Sequence, residues 1–246
     1  MRFDRVQASD GLGYTFTLLG KRVLIIYTII YILELLCEHW FNLQIISYLN
    51  LIPFKESNFH IWQIITHPFI HDPRSPISFL LNCLMFFFFA GSVENAIGTN
   101  RFLILFYFSA LGGALCGMGL SSFSAFNYPF MGMMPSLLST IVIFGLLKPE
   151  ATILLMFILP VKAKFISYIT VLITFLTFLA KANPYGAYHL GGILFGYLYF
   201  RSMDGLLDYR IIYMKYLKWR MNRNKARFKV INGKKDSGDN NKPTLH

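Results

Sequence analysis

The chain has 246 residues, of which 55% are hydrophobic and only 14% charged, with 25 Phe and 14 Tyr. Such a composition excludes an ordinary soluble domain and reads as a polytopic membrane protein, with the lipid bilayer as its first partner. The formal net charge is +11, but 12 of the 23 Lys and Arg lie after Phe200 against four acids, so eight of those charges belong to the tail. Beside a membrane span such a tail faces the anionic cytoplasmic leaflet, and nucleic acid is not expected as a partner.

In chain order, residues 1–22 are mixed and polar, with Arg2, Arg5, Lys21 and Arg22, and read as a short cytoplasmic segment. The first apolar run follows Lys21 and Arg22 without a small-residue cleavage site, so it reads as a signal anchor rather than a removable peptide. The first span is expected from Val23 to about Phe41. It carries Glu34 and Glu38 one helical turn apart near its far end, where ionised carboxylates would reach the interface. From Asn42 to Ile77 the chain is broken by Pro53, Pro68, Pro73 and Pro76 and holds Trp62, which suits a loop half-sunk in the bilayer surface. Within it His67 and His71 have the i, i+4 spacing of metal ligands. Pro68 lies between them, no Cys, Asp or Glu cluster completes a site, and a structural or interfacial role is expected.

The second span is expected over Ile77 to Glu94 and the third over Arg101 to Ser121, where Gly112, Gly113 and Gly117 offer a small-residue face for close helix contact. An uncharged loop, 122–133, leads to a short fourth span from about Met134 to Leu147, with Pro135 in its first turn. The string KPEATILLMFILPVKAK, bounded by charge and cut by Pro160, reads as an interfacial segment before a fifth span, Phe165 to Ala180, and a sixth, about Tyr185 to Phe200. Leu206 to Val230 alternates apolar and basic residues as a membrane-surface helix does, and the last dozen or so residues read as disordered. The three cysteines, Cys37, Cys83 and Cys116, each sit in an apolar run without metal-ligand spacing and read as buried thiols; neither a metal nor a cofactor is expected.

A histidine inside a span is costly enough to be a functional hypothesis in its own right. His189 shares a helical face with Tyr185, Gly186, Gly192, Ile193 and Gly196, so its ring should point into the bundle. Ser136, Ser139 and Thr140 share a stripe at i, i+3, i+4, the arrangement of small polar residues at a helix contact. From the residues alone the reading stops at six spans with one intramembrane histidine.

Several strings carry a resemblance further. The turn ENAIGTNRF has Glu94, Gly98 and Phe102 in a Glu-x-x-x-Gly-x-x-x-Phe pattern, and WQIITHPFIHDP, PVKAK, MGMMPSLLSTIVIFGLLKP and AYHLGGILFG stand in the matching order. Together, over about Phe59 to Arg201, they resemble the rhomboid family of intramembrane serine proteases. The resemblance implies an all-α, six-transmembrane-helix bundle over 23–201, between the segment 1–22 and a basic tail, 202–246. It places His189 on the family's general base. Counting back from FGLLKP, Gly132 falls on the first glycine of the Gly-x-Ser-Gly motif, Met134 on its serine and Pro135 on its second glycine. Of a His-x-x-x-Asn pair that helps stabilise the oxyanion, Asn82 takes the asparagine's place and Ser78 the histidine's.

A thioether has no proton to give up, so Met134 cannot be a nucleophile. Ser136 lies about 200° and Ser139 about 140° round a helix from Met134, away from the face the family uses. The resemblance therefore implies a catalytically inactive pseudoprotease that binds transmembrane segments of client proteins, rather than an enzyme. The alternative is an active endopeptidase with a displaced serine, Ser136 first. In a pocket that has been refilled, Met134 packs against His189 and the imidazole is held elsewhere, by Ser78, Asn82 or a backbone carbonyl. A transporter is disfavoured by the lack of an internal repeat.

With six spans, one side receives the N-terminus, Arg101, Lys148, Lys162, Lys164 and the tail, and the other only Lys55, Arg74 and Lys181. The positive-inside rule then puts both termini in the cytoplasm, and with no presequence visible a bacterial inner membrane is expected. A phosphatase reporter that is active only outside the cytoplasm is therefore expected to be silent when fused after His246; an active fusion would require an odd number of spans.

Overall fold

In lipid, backbone polar groups must be satisfied within the segment, so apolar runs of this length become helices. The computed structural model describes residues 17–54, 56–123, 129–155, 159–181 and 183–203. The readings on the first 16 residues, and on the surface helix and tail after Met203, lie outside the described residues. The elements are α1 (Leu18–His39), α2 (Ile46–Leu49), α3 (Gln63–Thr66), a 3-10 turn His67–Phe69, α4 (Pro76–Ile97), α5 (Thr99–Ser122), α6 (Met134–Leu147), β1 (Thr152–Leu155), β2 (Leu159–Lys162), α7 (Ala163–Lys181) and α8 (Pro184–Met203). Each expected span is a helix, and α6 has the expected bounds. Three of them, α4, α5 and α7, are long and apolar enough to cross a membrane. The others depart from a plain apolar span: α6 has 14 residues, α1 includes Lys21, Arg22, Glu34 and Glu38, and α8 is rich in Gly and Tyr.

The interfacial segment is a short antiparallel hairpin, with Thr152 opposite Lys162 and Leu154 opposite Pro160. A two-stranded ribbon has only edges, so Pro160 removes no essential ladder bond, and β-branched Ile153 and Val161 face each other across it. Glu150 closes the hairpin by pairing with Lys162 at 2.8 Å and Lys164 at 2.6 Å. Hydrogen bonds from these two ammonium groups draw its carboxyl down to about 2.

α8 packs most extensively against α5 and next against α6, and glycines set the spacing. A Cβ on Gly191 would lie 2.6 Å from the Gly112 carbonyl oxygen of α5, and one on Gly113 would lie 2.6 Å from the Tyr188 carbonyl oxygen of α8. Lipid tails are as apolar as leucine, so such close backbone approach, with its dense dispersion contacts, replaces the hydrophobic drive. Gly145 of α6 likewise meets the start of α7 at Ala163 and Ser167.

The connector explains its own pattern. Gly98 ends α4 at φ +90°, a conformation that glycine adopts without penalty, and its N–H reaches the Glu94 carbonyl at 2.7 Å. The Glu94 side chain accepts from Thr99 Oγ1 at 2.8 Å and from Gly20 N–H at 3.2 Å. Gly20 N is an orphan donor in the first turn of α1, and Thr17 Oγ1 accepts from it as well. Phe102, a turn beyond Gly98, is fully buried. The pattern therefore ties the beginning of α1 to the α4–α5 turn.

These contacts order the bundle by ends. The start of α1, the α4–α5 turn, the end of α6, the hairpin and the end of α8 lie at one end, which carries Lys21, Arg22, Arg101, Lys148, Lys162, Lys164 and Arg201. The starts of α4, α6 and α8 lie at the other. Glu94→Ala is expected to cost about 1–3 kcal/mol, because the Gly20 N–H loses one of its two acceptors and the Thr99 hydroxyl loses its own. Unfolding in detergent measures this, and Glu94→Gln, which keeps one acceptor oxygen, should lose less.

Candidate functional site

The site is built at the end remote from the basic residues, where α6 and α8 begin. The strand of chain leading into α6 is stitched down at four places. Phe130 and Leu51 exchange backbone hydrogen bonds of 2.7 and 2.9 Å, and Gly132 N–H donates to the His67 carbonyl at 2.9 Å. The Tyr188 hydroxyl donates to the Gly132 carbonyl at 2.9 Å, and the Tyr185 hydroxyl to the Pro129 carbonyl at 2.5 Å. Gly132 takes φ +94°, so the glycine at this position is required by the backbone itself. Tyr185, Tyr188 and the His67 carbonyl were not singled out from sequence as site residues. A signal existed for the tyrosines, since a buried phenol needs a hydrogen-bond partner.

Met134 opens α6, half-buried, and packs against the main core cluster. Pro135, in the first turn, is a wedge rather than only a missing N–H. It fits into a notch at Gly192 of α8, where a Cβ would come within 2.6 Å of the Pro135 Cα, and a second at Gly113 of α5, where the distance to the Pro135 Cβ would be 2.9 Å. Three helices meet on this ring.

His189 lies one turn before Gly192, on the side of α8 that meets Pro135 at the beginning of α6. It is half-buried, with the Tyr185 ring centred 6.2 Å and the Tyr188 ring 5.6 Å from its own. No hydrogen bond holds its imidazole among the described residues, so neither Ser78, Asn82 nor a backbone carbonyl orients it. Ser78 is exposed on α4, and Asn82 is buried beside Tyr27 of α1.

The serines of α6 are turned elsewhere. Ser136 is buried and donates to the Phe106 carbonyl of α5 at 2.6 Å, while Thr140 donates to the Ser136 carbonyl at 2.7 Å. Ser139 is buried against Gly196 of α8, beside Ser109. Gly196 is seven residues beyond His189, roughly 10 Å along the helix at about 1.5 Å per residue. Ser136 thus faces α5, and Ser139 meets α8 well below the imidazole.

The loop histidines are structural. Burial holds His67 down at about 4, so its ring is neutral at pH 7 and donates from Nδ1 to the Gln63 carbonyl at 3.0 Å. His71 Nε2 faces the Ser75 carbonyl at 3.3 Å, which can only accept, so Nδ1 accepts from the Tyr27 hydroxyl at 3.0 Å. Glu34 does not reach an interface: it is 3% exposed and accepts the His71 backbone N–H at 3.2 Å. Phe79 of α4 stacks on Tyr27 and Tyr31, with centroids 4.9 and 4.0 Å away. An open cavity of about 620 Å³ is lined in part by Met131, Tyr185, Glu38 and Asp72.

A family model described as Rhomboid domain matches residues 58–203, from the loop before α3 to the end of α8. No curated protein matches the chain. The helix junction can be tested directly: Gly192→Ala drives a methyl group into Pro135 and is expected to cost about 1–3 kcal/mol in a melting experiment. Gly119→Ala, with nothing within 4 Å, should cost nothing.

Proposed function

The chain belongs to the rhomboid family, and from that premise we propose that it is a pseudoprotease, a membrane protein that holds transmembrane segments of other proteins against its bundle without cleaving them. The observation that carries this reading is Met134 at the opening of α6, where the family resemblance calls for the nucleophilic serine. Acyl transfer needs a hydroxyl that a base can deprotonate, and a thioether has none. The hydrogen bond from Ser136 to α5 and the burial of Ser139 beside Gly196 support the same conclusion against a displaced nucleophile.

The helices would then serve for binding. In this reading α1, α4, α5, α6, α7 and α8 are the six spans, and both termini lie on the cytoplasmic side of a bacterial inner membrane. The gathering of Lys and Arg at one end of the bundle supports that orientation. α7 presents Tyr168, Leu172, Phe175, Leu176 and Leu179 outward, an apolar face suited to lipid or to a client span.

A fluorophosphonate probe tests the chemistry. The natural chain is expected to remain unlabelled, as are Met134→Ser and the double variant with Pro135→Gly. The double variant loses the Met134 packing and the Pro135 wedge together, and Met134 alone should cost roughly 2–5 kcal/mol. Labelling of the natural chain that disappears on Ser136→Ala would establish the endopeptidase alternative. Labelling of the double variant that disappears on His189→Ala would show a site lacking only its hydroxyl.

A further inference from the structure

Two helices in contact leave a furrow along their seam, and the one outside the α5–α8 crossing is used by neither of the readings above. Arg101, Ile104, Phe108 and Leu111 lie at i, i+3, i+7 and i+10 of α5, on one stripe of the helix. All four are exposed, Phe108 and Leu111 each by 37%. The other wall is α8, where Phe195 and Tyr199 are half-buried, with ring centroids 5.6 and 5.8 Å from that of Phe108. The Phe195 ring rests on Gly112, where a methyl group would overlap it, so the α8 wall meets the α5 backbone there.

The furrow ends in positive charge. Arg101, in the first turn of α5, is exposed and makes no ion pair and no side-chain hydrogen bond among the described residues. Its guanidinium lies within electrostatic reach of the Tyr199 hydroxyl, which also has no hydrogen-bond partner among them. α5 starts behind Gly98 without a side-chain cap, so its first free N–H groups add to the positive end. The carboxylate nearest in sequence, Glu94, is buried and turned to the Gly20 N–H of α1.

These features select a ligand. A guanidinium presents two parallel N–H donors to a phosphate, and a phenol adds a third. From Arg101 to Leu111 the helix rises roughly 15 Å at about 1.5 Å per residue, which is half of a hydrocarbon core of about 30 Å. The furrow therefore has the length of one acyl chain in one leaflet, with the phosphate at the basic end. A free phosphate would use the charge and leave the apolar furrow empty, and a zwitterionic lipid brings a cation of its own to Arg101. A client's span brings Lys or Arg to this end by the same positive-inside rule, and Arg101 repels them.

We propose that the α5–α8 furrow docks one anionic phospholipid of the leaflet at the basic end, cytoplasmic in the orientation proposed above. Its phosphodiester sits on Arg101 and the Tyr199 hydroxyl, and an acyl chain lies along Ile104, Phe108 and Leu111. The test is made in detergent, where orientation plays no part. The full chain is titrated with phosphatidylglycerol or with phosphatidylcholine of the same acyl chains, and bound lipid is counted by native mass spectrometry.

The first phosphatidylglycerol is expected to bind about fivefold more tightly than the first phosphatidylcholine, the worth of one basic side chain at a membrane surface. Arg101→Gln should abolish that preference, and Ile104→Trp, which fills the furrow, should weaken both lipids. Lys148→Gln, a cation at the same end just after α6, should change neither. All three positions are exposed, and melting curves establish that the variants are folded. Glycerophosphoglycerol, the headgroup without chains, should not compete. Equal binding of the two lipids, a preference that survives Arg101→Gln, or binding untouched by Ile104→Trp would overturn the proposal. So would an equal loss in Lys148→Gln, the mark of diffuse surface charge, or competition by glycerophosphoglycerol, the mark of a phosphate site without a furrow.

Discussion

The closeness of α8 to α5 and α6 is the constraint on which the rest of this molecule depends. Backbone reaches backbone across Gly191, Gly113 and Gly112, and a single methyl group at any of these crossings would overlap a neighbour. Only at that spacing does α8 bring His189 to face the opening of α6, and only then do the Tyr185 and Tyr188 hydroxyls reach the chain at Pro129 and Gly132. Packing and site geometry are therefore one set of contacts.

A bundle held in this way has little tolerance for unsatisfied polar groups, and most of its own are paired at helix ends. Glu94 accepts from the first turn of α1 and from Thr99, so one carboxylate secures two joints. The aromatic layer of Tyr27, Tyr31 and Phe79 locks α1 to α4, and His71 pins the loop to it through the Tyr27 hydroxyl.

Helix positions were legible because apolar runs of span length have one stable form in lipid, and the connector was legible because Glu94, Gly98 and Phe102 each do a local job. Residue spacing also turned Ser136 and Ser139 away from the face of Met134. What stayed hidden was tertiary. Pro135 reads in sequence as a lost N–H, whereas its ring fills two glycine notches on helices that are distant in the chain. Glu34, placed near a helix end by sequence, is turned inward by rotation of α1 onto α4, which no local pattern records. The hairpin between α6 and α7 was hidden for another reason: a short apolar run with β-branched residues has the same periodicity in a ribbon as on a membrane surface.

The pairing of Leu51 with Phe130 joins two stretches of chain almost eighty residues apart, and the Gly132 bond to His67 doubles the joint. The loop after α1 and the lead into α6 are thus parts of a single rim. Lifting one means breaking backbone hydrogen bonds in the other, in a setting where water is slow to replace them. Whatever enters from above must therefore either fit the rim as it stands or raise it whole, and a body that moves only as a whole behaves as a latch rather than as a hinged flap.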